Sequence, residues 1–409
     1  MKTKIQCKII RIVEDYPVGG NPSYGLQPVF YYLSKEQSAR GHEVNIVARQ
    51  HGNQPAVEDD GDVRIYRVSE PFNRTAYRKV LSLDGERESS IIHTHSTSGF
   101  FMSFLKGTIR SRFVSHVHGA SRSVAMPAKI KFSQYVPEYS MSKMWYYYFR
   151  ERLLWSASQR VLAVSSTLKN DLVTYYGISS SKIDVVYNGV DTNLFKKLEG
   201  FELPEPIKRF EGKRIVLYVG HFGPRKGVTH LINAMRYVVE QVPDAVLVCI
   251  GGVPKWLTGT GYWDQLKTQV DSLNLQDRVL LLDRIPNSEL PKYYSAASIF
   301  VLASYYEAFA KVVIEAMACG LPVVVTREGG LGEAVEDGRT GRLVDYGSRS
   351  QLTDAIVETL QDDRAARAMG REARKRVERD FTWQAVAERI DKTYSTILNR
   401  TEPIVTGDI

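Results

Sequence analysis

The sequence is poor in cysteine and contains no long apolar run, and both absences restrict what the chain can be. Its 409 residues include three cysteines, Cys7, Cys249 and Cys319, which lie far apart in apolar segments. Because they lack the spacing of a metal site, we interpret them as buried free thiols in a reducing compartment. No apolar segment approaches the ~20 residues that span a bilayer, so we expect no transmembrane helix.

The N-terminus lacks the pattern of a secretory signal. The apolar segment 9–13 is interrupted by Arg11 and followed by Glu14 and Asp15, whereas a signal needs an uninterrupted apolar stretch. The segment therefore predicts a first β-strand. We expect the protein in the cytoplasm, with peripheral contact to the inner face of the cell membrane as an open alternative.

Positive charge is concentrated in one stretch of the chain. The formal net charge is +8, and residues 101–152 hold nine Lys and Arg against two Asp and Glu. Aromatic side chains such as Phe101, Phe104, Trp145 and Phe149 are interleaved there. Two interpretations stay open: a solvated basic face beside core aromatics, and a surface for a membrane or an anionic acceptor. No recognised DNA- or RNA-binding module is visible, so we expect no nucleic-acid partner.

The apolar pattern alternates between strands and helices in two halves of similar length. A chain of this size is expected to form two domains, and repeated strand–helix units predict parallel sheets covered on both faces. The alternation is lost over 196–213, where charge, proline and glycine indicate a linker. We therefore expect an N-terminal α/β domain over 1–195 and a C-terminal one over 214–380. A final helix within 381–409 is expected to cross back to the first domain.

The stretch 304–325 carries two carboxylates near one predicted strand–helix junction. Glu307 follows an apolar strand over 299–303, and Glu315 lies within a short buried helix over 312–318. A carboxylate at a strand end, ahead of a helix, lies where open parallel sheets bind ligands. The free amides and the dipole of that helix end favour an anion such as phosphate.

The glycine-rich loop 220–227 joins a predicted strand to a helix and carries Arg225 beside Lys226. It lacks the GxxxxGK[ST] spacing, which disfavours a P-loop nucleotide hydrolase. Arg225 would bind a diphosphate through its planar fork and Lys226 as a point charge, although an ordinary surface pair is the alternative. Gly19 and Gly20, after the first strand, would let backbone amides approach a ligand, but a plain loop explains them equally.

An acidic motif and two histidine pairs raise the question of a metal site. Asp60-Gly61-Asp62 has a spacing that can hold a divalent ion, but we interpret it as a tight turn before the next strand.

The histidine pairs, His93 with His95 and His116 with His118, fall at predicted strand ends, and we expect one member of each pair on each side of the sheet. We therefore predict no metal site, and we retain His118 as a polar contact facing a cleft.

Together these motifs resemble the retaining glycosyltransferases of the GT-B fold, in family 4 of the nucleotide-sugar-dependent transferases (glycosyl transferases group 1). The most specific part is Glu307-x7-Glu315 followed by Ala-Met-Ala-Cys-Gly-Leu-Pro-Val. The resemblance runs over nearly the whole chain. Its other matching features are Gly19-Gly20, Gly41-His42-Glu43-Val44, His118-Gly119, Val164-Ser165, Asn188-Gly189-Val190-Asp191 with Phe195, and Gly223 to Gly227.

The resemblance implies two Rossmann-like doubly wound domains that face each other across a cleft. It implies transfer of a hexose from a nucleotide-diphosphate-sugar to an acceptor hydroxyl, with retention of anomeric configuration and without an obligatory metal or cofactor. We favour a UDP-sugar over a GDP-sugar as the donor. We expect a sugar, lipid-linked or anionic glycan acceptor.

The resemblance also implies roles for particular residues. Glu315 would hold the ribose hydroxyls, Arg225 and Lys226 the diphosphate, and Glu307 and His118 the transferred sugar. The last four would be the catalytic residues. Further donor-binding positions are expected at Gly19, Gly20, Ala308, Phe309, Ala310, Lys311 and Val312.

The chain departs from the family pattern next to the first glutamate. Ala308 and Ala310 stand where glycines are frequent, and alanine is small enough to keep a close backbone approach. Lys311 stands at a position that is often apolar, where it either adds a cation near the phosphates or points to solvent.

Three other functions stay open at this stage. A glycoside hydrolase could use Glu307 and Glu315 as its carboxylate pair, which would need the carboxyls ~5 Å or ~6.5–9.5 Å apart across a sugar. A non-catalytic protein could bind a nucleotide-sugar or a polyanion at the same residues. A nucleotide-sugar epimerase or a glycogen-type phosphorylase could share the fold, but no pyridoxal-binding lysine context is recognisable.

Overall fold

A computed structural model of the protein describes most of the chain as two compact α/β units. The first unit runs to Asn188 and resumes at Trp383, and the second runs from Gly189 to Thr382. Each unit is built on its own largely parallel sheet, so the two Rossmann-like domains predicted from the sequence are confirmed. The described residues are 6–17, 22, 25–84, 90–105, 112–121, 141–254 and 257–399.

The first unit contains an eight-stranded sheet in the order β3-β4-β2-β1-β5-β6-β7-β8. Its strands are β1 (Lys8–Ile12), β2 (Glu43–Arg49), β3 (Val57–Asp60), β4 (Val63–Val68), β5 (Ser90–His95), β6 (Phe113–Val117), β7 (Arg160–Ala163) and β8 (Ile183–Val185). Among the described residues before Asn188, the helices that accompany them are α1 (Gln27–Ala39), α2 (Phe72–Asp84), α3 (Met141–Ala157) and α4 (Ser166–Tyr176). β3 pairs antiparallel with β4, and the tight turn predicted at Asp60-Gly61-Asp62 joins them.

The second unit contains a six-stranded parallel sheet in the order β11-β10-β9-β12-β13-β14. Its strands are β9 (Arg214–Val219), β10 (Ala245–Ile250), β11 (Val279–Leu282), β12 (Ile299–Leu302), β13 (Val323–Thr326) and β14 (Gly341–Val344). Its helices are α5 (Val228–Gln241), α6 (Tyr262–Ser272), α7 (Leu290–Ala296), α8 (Lys311–Ala318), α9 (Leu331–Ala334), α10 (Arg349–Gln361) and α11 (Asp363–Asp380).

Both sheets reverse their strand order at a central pair of strands. In the second unit the chain moves outward from β9 through β10 to β11 and then returns to place β12 on the other side of β9. In the first unit β1 and β5 are the corresponding neighbours. Ligands of open α/β sheets bind at the carboxyl ends of such strands, so these two points position the candidate sites.

The last helix, α12 (Trp383–Leu398), belongs to the first unit. Its Asp391 accepts a hydrogen bond from Arg40, the C-cap residue of α1, at 2.8 Å, and its Tyr394 is buried in the hydrophobic core of the first unit. Trp383 stacks on Tyr32, also of α1, at 6.1 Å between ring centroids. Helix α12 therefore packs into the core of the first unit, although the second unit separates it from the rest of that unit in sequence.

The boundary between the units lies earlier than the predicted linker. The first unit ends at Asn188 rather than at residue 195. Val190 donates to the carbonyl of Phe381, within the second unit, at 2.8 Å. Segment 196–213 is also part of that unit, and its Ile207 and Phe210 are buried. Charge and proline content suggested a free linker, but two buried apolar side chains anchor it.

Two further predictions concern membrane-spanning helices and the state of the cysteines. Among them, no helix combines the length and apolarity needed to cross a membrane. The three cysteines are free and buried, as predicted, and burial raises the pKa of each thiol. They are therefore unreactive thiols inside the packed units.

Candidate functional site: an ion-paired cluster at the switch point of the second unit

The loop after β9 is held against the end of β12. Pro224–Lys226 forms one 3₁₀ turn, and Gly227 follows with φ of 73°. A Cβ at Gly227 would lie 1.8 Å from the carbonyl oxygen of Ala303, so only glycine fits this approach. The carbonyl of Arg225 accepts the amide of Tyr305 at 2.8 Å. The two strand-end loops are therefore packed and hydrogen-bonded together, although they are distant in sequence.

Three donors converge on one oxygen of Glu307 in this structure. Oε1 of Glu307 lies 2.9 Å from Nη1 of Arg225 and 2.6 Å from Nζ of Lys226. It also accepts the hydroxyl of Ser304 at 2.8 Å, and Nη1 of Arg225 donates to the carbonyl of Tyr306 as well. The predicted residues Arg225, Lys226 and Glu307 thus form one cluster of two cations and one anion.

The cluster is largely buried, and its charges stabilise one another. Burial alone would raise the pKa of Glu307, but Arg225, Lys226 and the Ser304 hydroxyl lower it to about 2. Burial lowers the pKa of Lys226, against the attraction of Glu307. Burial and the same two cations lower the pKa of His221, in the same loop, to about 4. At neutral pH the cluster therefore holds an ionised Glu307 beside a neutral His221.

Glu315, on α8, has partners of its own on α7 and α8. Its Oε2 accepts the hydroxyl of Tyr294 at 3.2 Å. Burial raises the pKa of Glu315, and Lys311, one turn earlier on α8, opposes this. Burial also lowers the pKa of Lys311, with Glu315 acting against it. Lys311 is therefore partly buried beside Glu315 rather than directed freely into solvent.

The segment between the two glutamates closes the N-terminal end of α8. Ala310 is the N-cap residue, and its side chain makes no capping hydrogen bond. Phe309 is buried against Phe381 at 5.7 Å between centroids, whereas Ala308 and Val312 are half-buried. The first amides of α8 are therefore not capped by the N-cap side chain, which is the arrangement that favours an anion.

Four histidines of the first unit lie side by side, contrary to the sequence interpretation. The ring centroids of His93 and His95 are 4.5 Å apart, and those of His116 and His118 are 4.3 Å apart. The expectation that each pair divides between the two faces was wrong, because residues i and i+2 of a strand point to the same face. His118 therefore belongs to a histidine cluster at the carboxyl ends of β5 and β6.

The ring orientations of this cluster do not fit metal coordination well. The ligand atoms of His93, His95 and His116 lie within 4.8 Å of one another. The ring of His93 is, however, inclined by only 18° to that of His95 and by 21° to that of His116. The lone pair of an imidazole nitrogen lies in the plane of its ring. In nearly parallel rings these lone pairs run alongside one another and do not converge on one metal position.

Some predicted positions cannot be placed beside this cluster. Gly19 and Gly20 lie outside the described residues. His118 belongs to the first unit, whereas the ion-paired cluster belongs to the second. Sequence reasoning missed Ser304 and Tyr294, the hydroxyl partners of the two glutamates. Ser304 was detectable as the first polar residue after β12, but nothing in the sequence indicated Tyr294.

Two family models together match most of the chain. The family model for glycosyl transferases group 1 matches residues 201–376, and that for glycosyltransferase family 4 matches residues 24–194. Mannosylfructose-phosphate synthase of Agrobacterium fabrum is 26% identical over 395 residues, 91% of this chain and 87% of that protein. D-inositol 3-phosphate glycosyltransferase of Corynebacterium glutamicum is 34% identical over 58% of this chain and 57% of that protein.

Several curated relatives are matched over only about 60% of their own length. Solved structures are similar over nearly the whole chain. Sucrose-phosphate synthase of Thermosynechococcus elongatus has a TM-score of 0.75 at 24% identity, covering 96% of this chain and 99% of that one. Anabaena HepE, solved with UDP and glucose, has a TM-score of 0.70 at 20% identity, covering 96% of this chain and 100% of that one. At these identities the similarity establishes the fold.

Proposed function

Because the chain belongs to the group 1 glycosyltransferases of family 4, we propose that it transfers a hexose from a nucleotide-diphosphate-sugar to an acceptor hydroxyl. We further propose that the anomeric configuration is retained and that UDP-sugar is the preferred donor. The observation that carries this proposal is the pair of partly buried cations, Arg225 and Lys226, held by Glu307 at the switch point of the second unit.

The physical problem in this reaction is the negative charge that develops on the departing diphosphate. Arg225 and Lys226 share one carboxylate, so the cluster keeps a net positive charge. The N-terminal end of α8, where the side chain of Ala310 makes no capping hydrogen bond, adds a positive dipole. Cations and hydrogen-bond donors that are held in place before the reaction stabilise the developing charge without having to reorganise. In this proposal Glu307 has two roles: it holds both cations in place, and it contacts the transferred sugar.

The remaining proposed contacts to the nucleotide-sugar involve the second glutamate, Glu315, and its neighbours. We assign the ribose hydroxyls to Glu315, whose Oε2 is oriented by Tyr294. We assign the phosphates to Lys311 and to the amides of Phe309 to Val312, in the same segment. The preference for UDP is supported by HepE, a fold relative solved with UDP-glucose.

Retention is explained by a front-face reaction. The bond from the anomeric carbon to the diphosphate oxygen breaks, and a bond to the acceptor oxygen forms on the same face. The departing phosphate oxygen takes the acceptor proton, so the step balances without a general base from the protein. Because two side-chain cations meet the developing charge, we propose that neither a metal nor a cofactor is required.

A donor screen tests this proposal. The purified protein is incubated with UDP-, GDP- and ADP-sugars and a panel of sugar and lipid-linked acceptors, with chelator present. We expect nucleotide release to depend on acceptor, to be greatest with a UDP-sugar, and to give a product whose anomeric proton coupling in NMR matches that of the donor. An inverted product would contradict the front-face reaction, and absence of transfer from every donor would contradict the proposed function.

The hydrolase alternative is disfavoured by the ion pairs of the first glutamate. Arg225 and Lys226 both contact Oε1 of Glu307, so this carboxylate is engaged with two cations rather than available as the nucleophile or base of a glycosidase pair. A hydrolase would also leave the paired cations without a role. Sugar release from a polysaccharide without any nucleotide would favour this alternative.

An aromatic surface on the first unit supports the proposal of an acceptor at a membrane. Phe101 and Phe104, in a 3₁₀ turn, are 39% and 54% exposed, and Trp145 and Phe149 on α3 are 43% and 59% exposed. The guanidinium of Arg150 lies 4.9 Å from the ring of Phe100, joining the two elements. Exposed aromatics beside cations suit the interface of an anionic bilayer. We therefore propose that this aromatic surface contacts anionic lipid.

Vesicle sedimentation tests the aromatic surface. We expect the protein to sediment with vesicles containing anionic phospholipid at low salt. The double variant Trp145→Ser, Phe149→Ser should bind at least roughly tenfold more weakly, because each buried aromatic contributes about 1.5 kcal/mol or more. Val57→Ser, at an exposed residue of the edge strand β3, is the control and should bind like the unmodified protein. If the unmodified protein ignores such vesicles, the membrane proposal fails.

A further inference from the structure

A basic groove on the first unit lies apart from the sites described above. It has a volume of about 390 Å³ and runs beside β8, an edge strand of the eight-stranded sheet. Its basic lining includes Arg160 of β7, Lys169 of α4 and Lys392 of α12. Asp184 of β8 is the one acidic residue among the described residues that line it. Elements distant in sequence therefore bring their cations to one concave surface.

Two of these cations are held in place by neutral partners. Nη1 of Arg160 donates to the carbonyl of Ser181 at 2.6 Å, and Nζ of Lys169 donates to the carbonyl of Ile183 at 2.9 Å. A carbonyl oxygen orients a cation but does not cancel its charge. A guanidinium has five N–H donors and an ammonium has three, so one bond to a carbonyl does not exhaust either side chain.

The carboxylate of Asp184 balances only part of the charge in the groove. Its Oδ2 accepts the hydroxyl of Thr393, on α12, at 2.9 Å. Its Oδ1 lies 3.9 Å from Nη1 of Arg160, which is the outer limit of an ion pair and too long for a hydrogen bond. Lys392 adds a further cation at an exposed position of α12. The groove therefore keeps a net positive charge.

Cations fixed around a concave surface favour an anion with several oxygen atoms. A phosphate monoester carries roughly two negative charges near neutral pH and three strong acceptor oxygens, which several donors can share. Arginine binds such a group through its planar fork and lysine binds it as a point charge. On an ordinary solvated face the side chains would have to be ordered when the ligand binds. Here two of them are ordered beforehand, which lowers that cost.

We propose that this groove is a phosphate-binding site in which Arg160, Lys169 and Lys392 hold the phosphate group. The group belongs either to a free phosphorylated compound or to a phospholipid headgroup, since both present the same anionic oxygens. The groove lies in the first unit, whereas the proposed diphosphate contacts, Arg225 and Lys226, lie in the second. The site is therefore additional to the proposed function and does not rest on it.

Calorimetric titration with inorganic pyrophosphate at low salt tests the site. We expect two binding sites in the unmodified protein, one in the groove and one at Arg225 and Lys226. The double variant Lys169→Gln, Lys392→Gln should weaken binding in the groove by roughly 10–100-fold, the value of charge-assisted hydrogen bonds, and leave the other site unchanged. Lys392→Gln alone, at an exposed helix position that the fold tolerates, should weaken the groove in the same direction.

A second double variant controls for the loss of charge. Arg64→Gln, Lys375→Gln removes two cations at exposed positions outside every proposed site, so it should bind pyrophosphate like the unmodified protein. Arg225→Ala, Lys226→Ala should lose the other site and keep the groove. If that variant keeps both sites, the diphosphate assignment in the proposed function fails while the groove stands.

Vesicle sedimentation distinguishes the two sources of the phosphate. Vesicles of phosphatidylcholine are compared with and without phosphatidic acid. If Lys169→Gln, Lys392→Gln weakens sedimentation with the anionic vesicles, the groove takes a lipid headgroup. If it weakens pyrophosphate binding alone, the ligand is a free phosphorylated compound. Unchanged binding in both assays, or an equal loss in Arg64→Gln, Lys375→Gln, overturns the inference.

Discussion

Replacing Arg225 with alanine is expected to lower kcat/KM by roughly 10²–10³-fold, the effect of removing one preorganised donor from a developing oxyanion. Arg225 is fixed through its backbone carbonyl, by Tyr305, and through its guanidinium, by Glu307 and the carbonyl of Tyr306. The planar guanidinium of Arg225 is therefore in place before the nucleotide-sugar binds. The measurement is the initial rate of transfer with the donor identified in the screen, over a range of donor concentrations.

Two further variants make this result specific. Arg225→Lys keeps the charge but loses the planar fork, so it should recover only part of the rate. Arg236→Ala, at an exposed position of α5, is the matched control and should retain full activity. Normal turnover by purified Arg225→Ala would show that Arg225 does not bind the diphosphate.

Replacing Glu307 with alanine is expected to destabilise the second unit by about 3–5 kcal/mol, the cost of removing one partner from a buried ion pair. Arg225 and Lys226 would keep their charges without the shared carboxylate, and Ser304 would lose its acceptor. Urea unfolding followed by circular dichroism measures the loss. Activity should fall as well, because the two cations would no longer be held in place.

An exposed ion pair supplies the control for this prediction. Glu358 pairs with Arg342 at 2.6 Å, but its side chain is 58% exposed, so Glu358→Ala should cost less than about 1 kcal/mol. Equal losses for Glu307→Ala and Glu358→Ala would contradict a buried cluster.

The contribution of Glu307 to the free energy of unfolding should depend on pH with a definite sign. The pKa of Glu307 is lowered from 4.5 to about 2 in the folded protein. Its contribution is therefore fully present above pH 4.5 and is lost as the pH falls towards 2. The difference in unfolding free energy between the unmodified protein and Glu307→Ala should shrink over that interval.

The sequence was sufficient for the fold, because the fold depends on local patterns, and local patterns also singled out the residues that the structure brings together after β9 and β12. The alternation of strands and helices predicted two parallel sheets, and a loop after β9 and a carboxylate after β12 indicated ligand contacts. The pairing of Arg225 and Lys226 with Glu307 could not be predicted from spacing. It depends on β12 returning beside β9, and strand order is a property of the whole sheet.

The errors have equally specific causes. The histidine pairs were assigned to opposite faces although a spacing of two places both side chains on one face. The strand β3 was missed because Val57–Asp60 is polar and lies at a sheet edge, where burial does not impose an apolar pattern. Segment 196–213 was interpreted as a linker from its charge and proline content, although Ile207 and Phe210 bury it in the second unit.

The assignment of Arg225 and Lys226 to the diphosphate is tested most directly by calorimetric titration of nucleotides. UDP and UMP, and in parallel GDP and GMP, are titrated into the unmodified protein and into the double variant Arg225→Ala, Lys226→Ala. In the unmodified protein the preferred diphosphate should bind roughly 10–100-fold more tightly than its monophosphate, the value of charge-assisted hydrogen bonds to the second phosphate. The double variant should lose that preference. An undiminished preference for the diphosphate in the double variant would contradict the assignment.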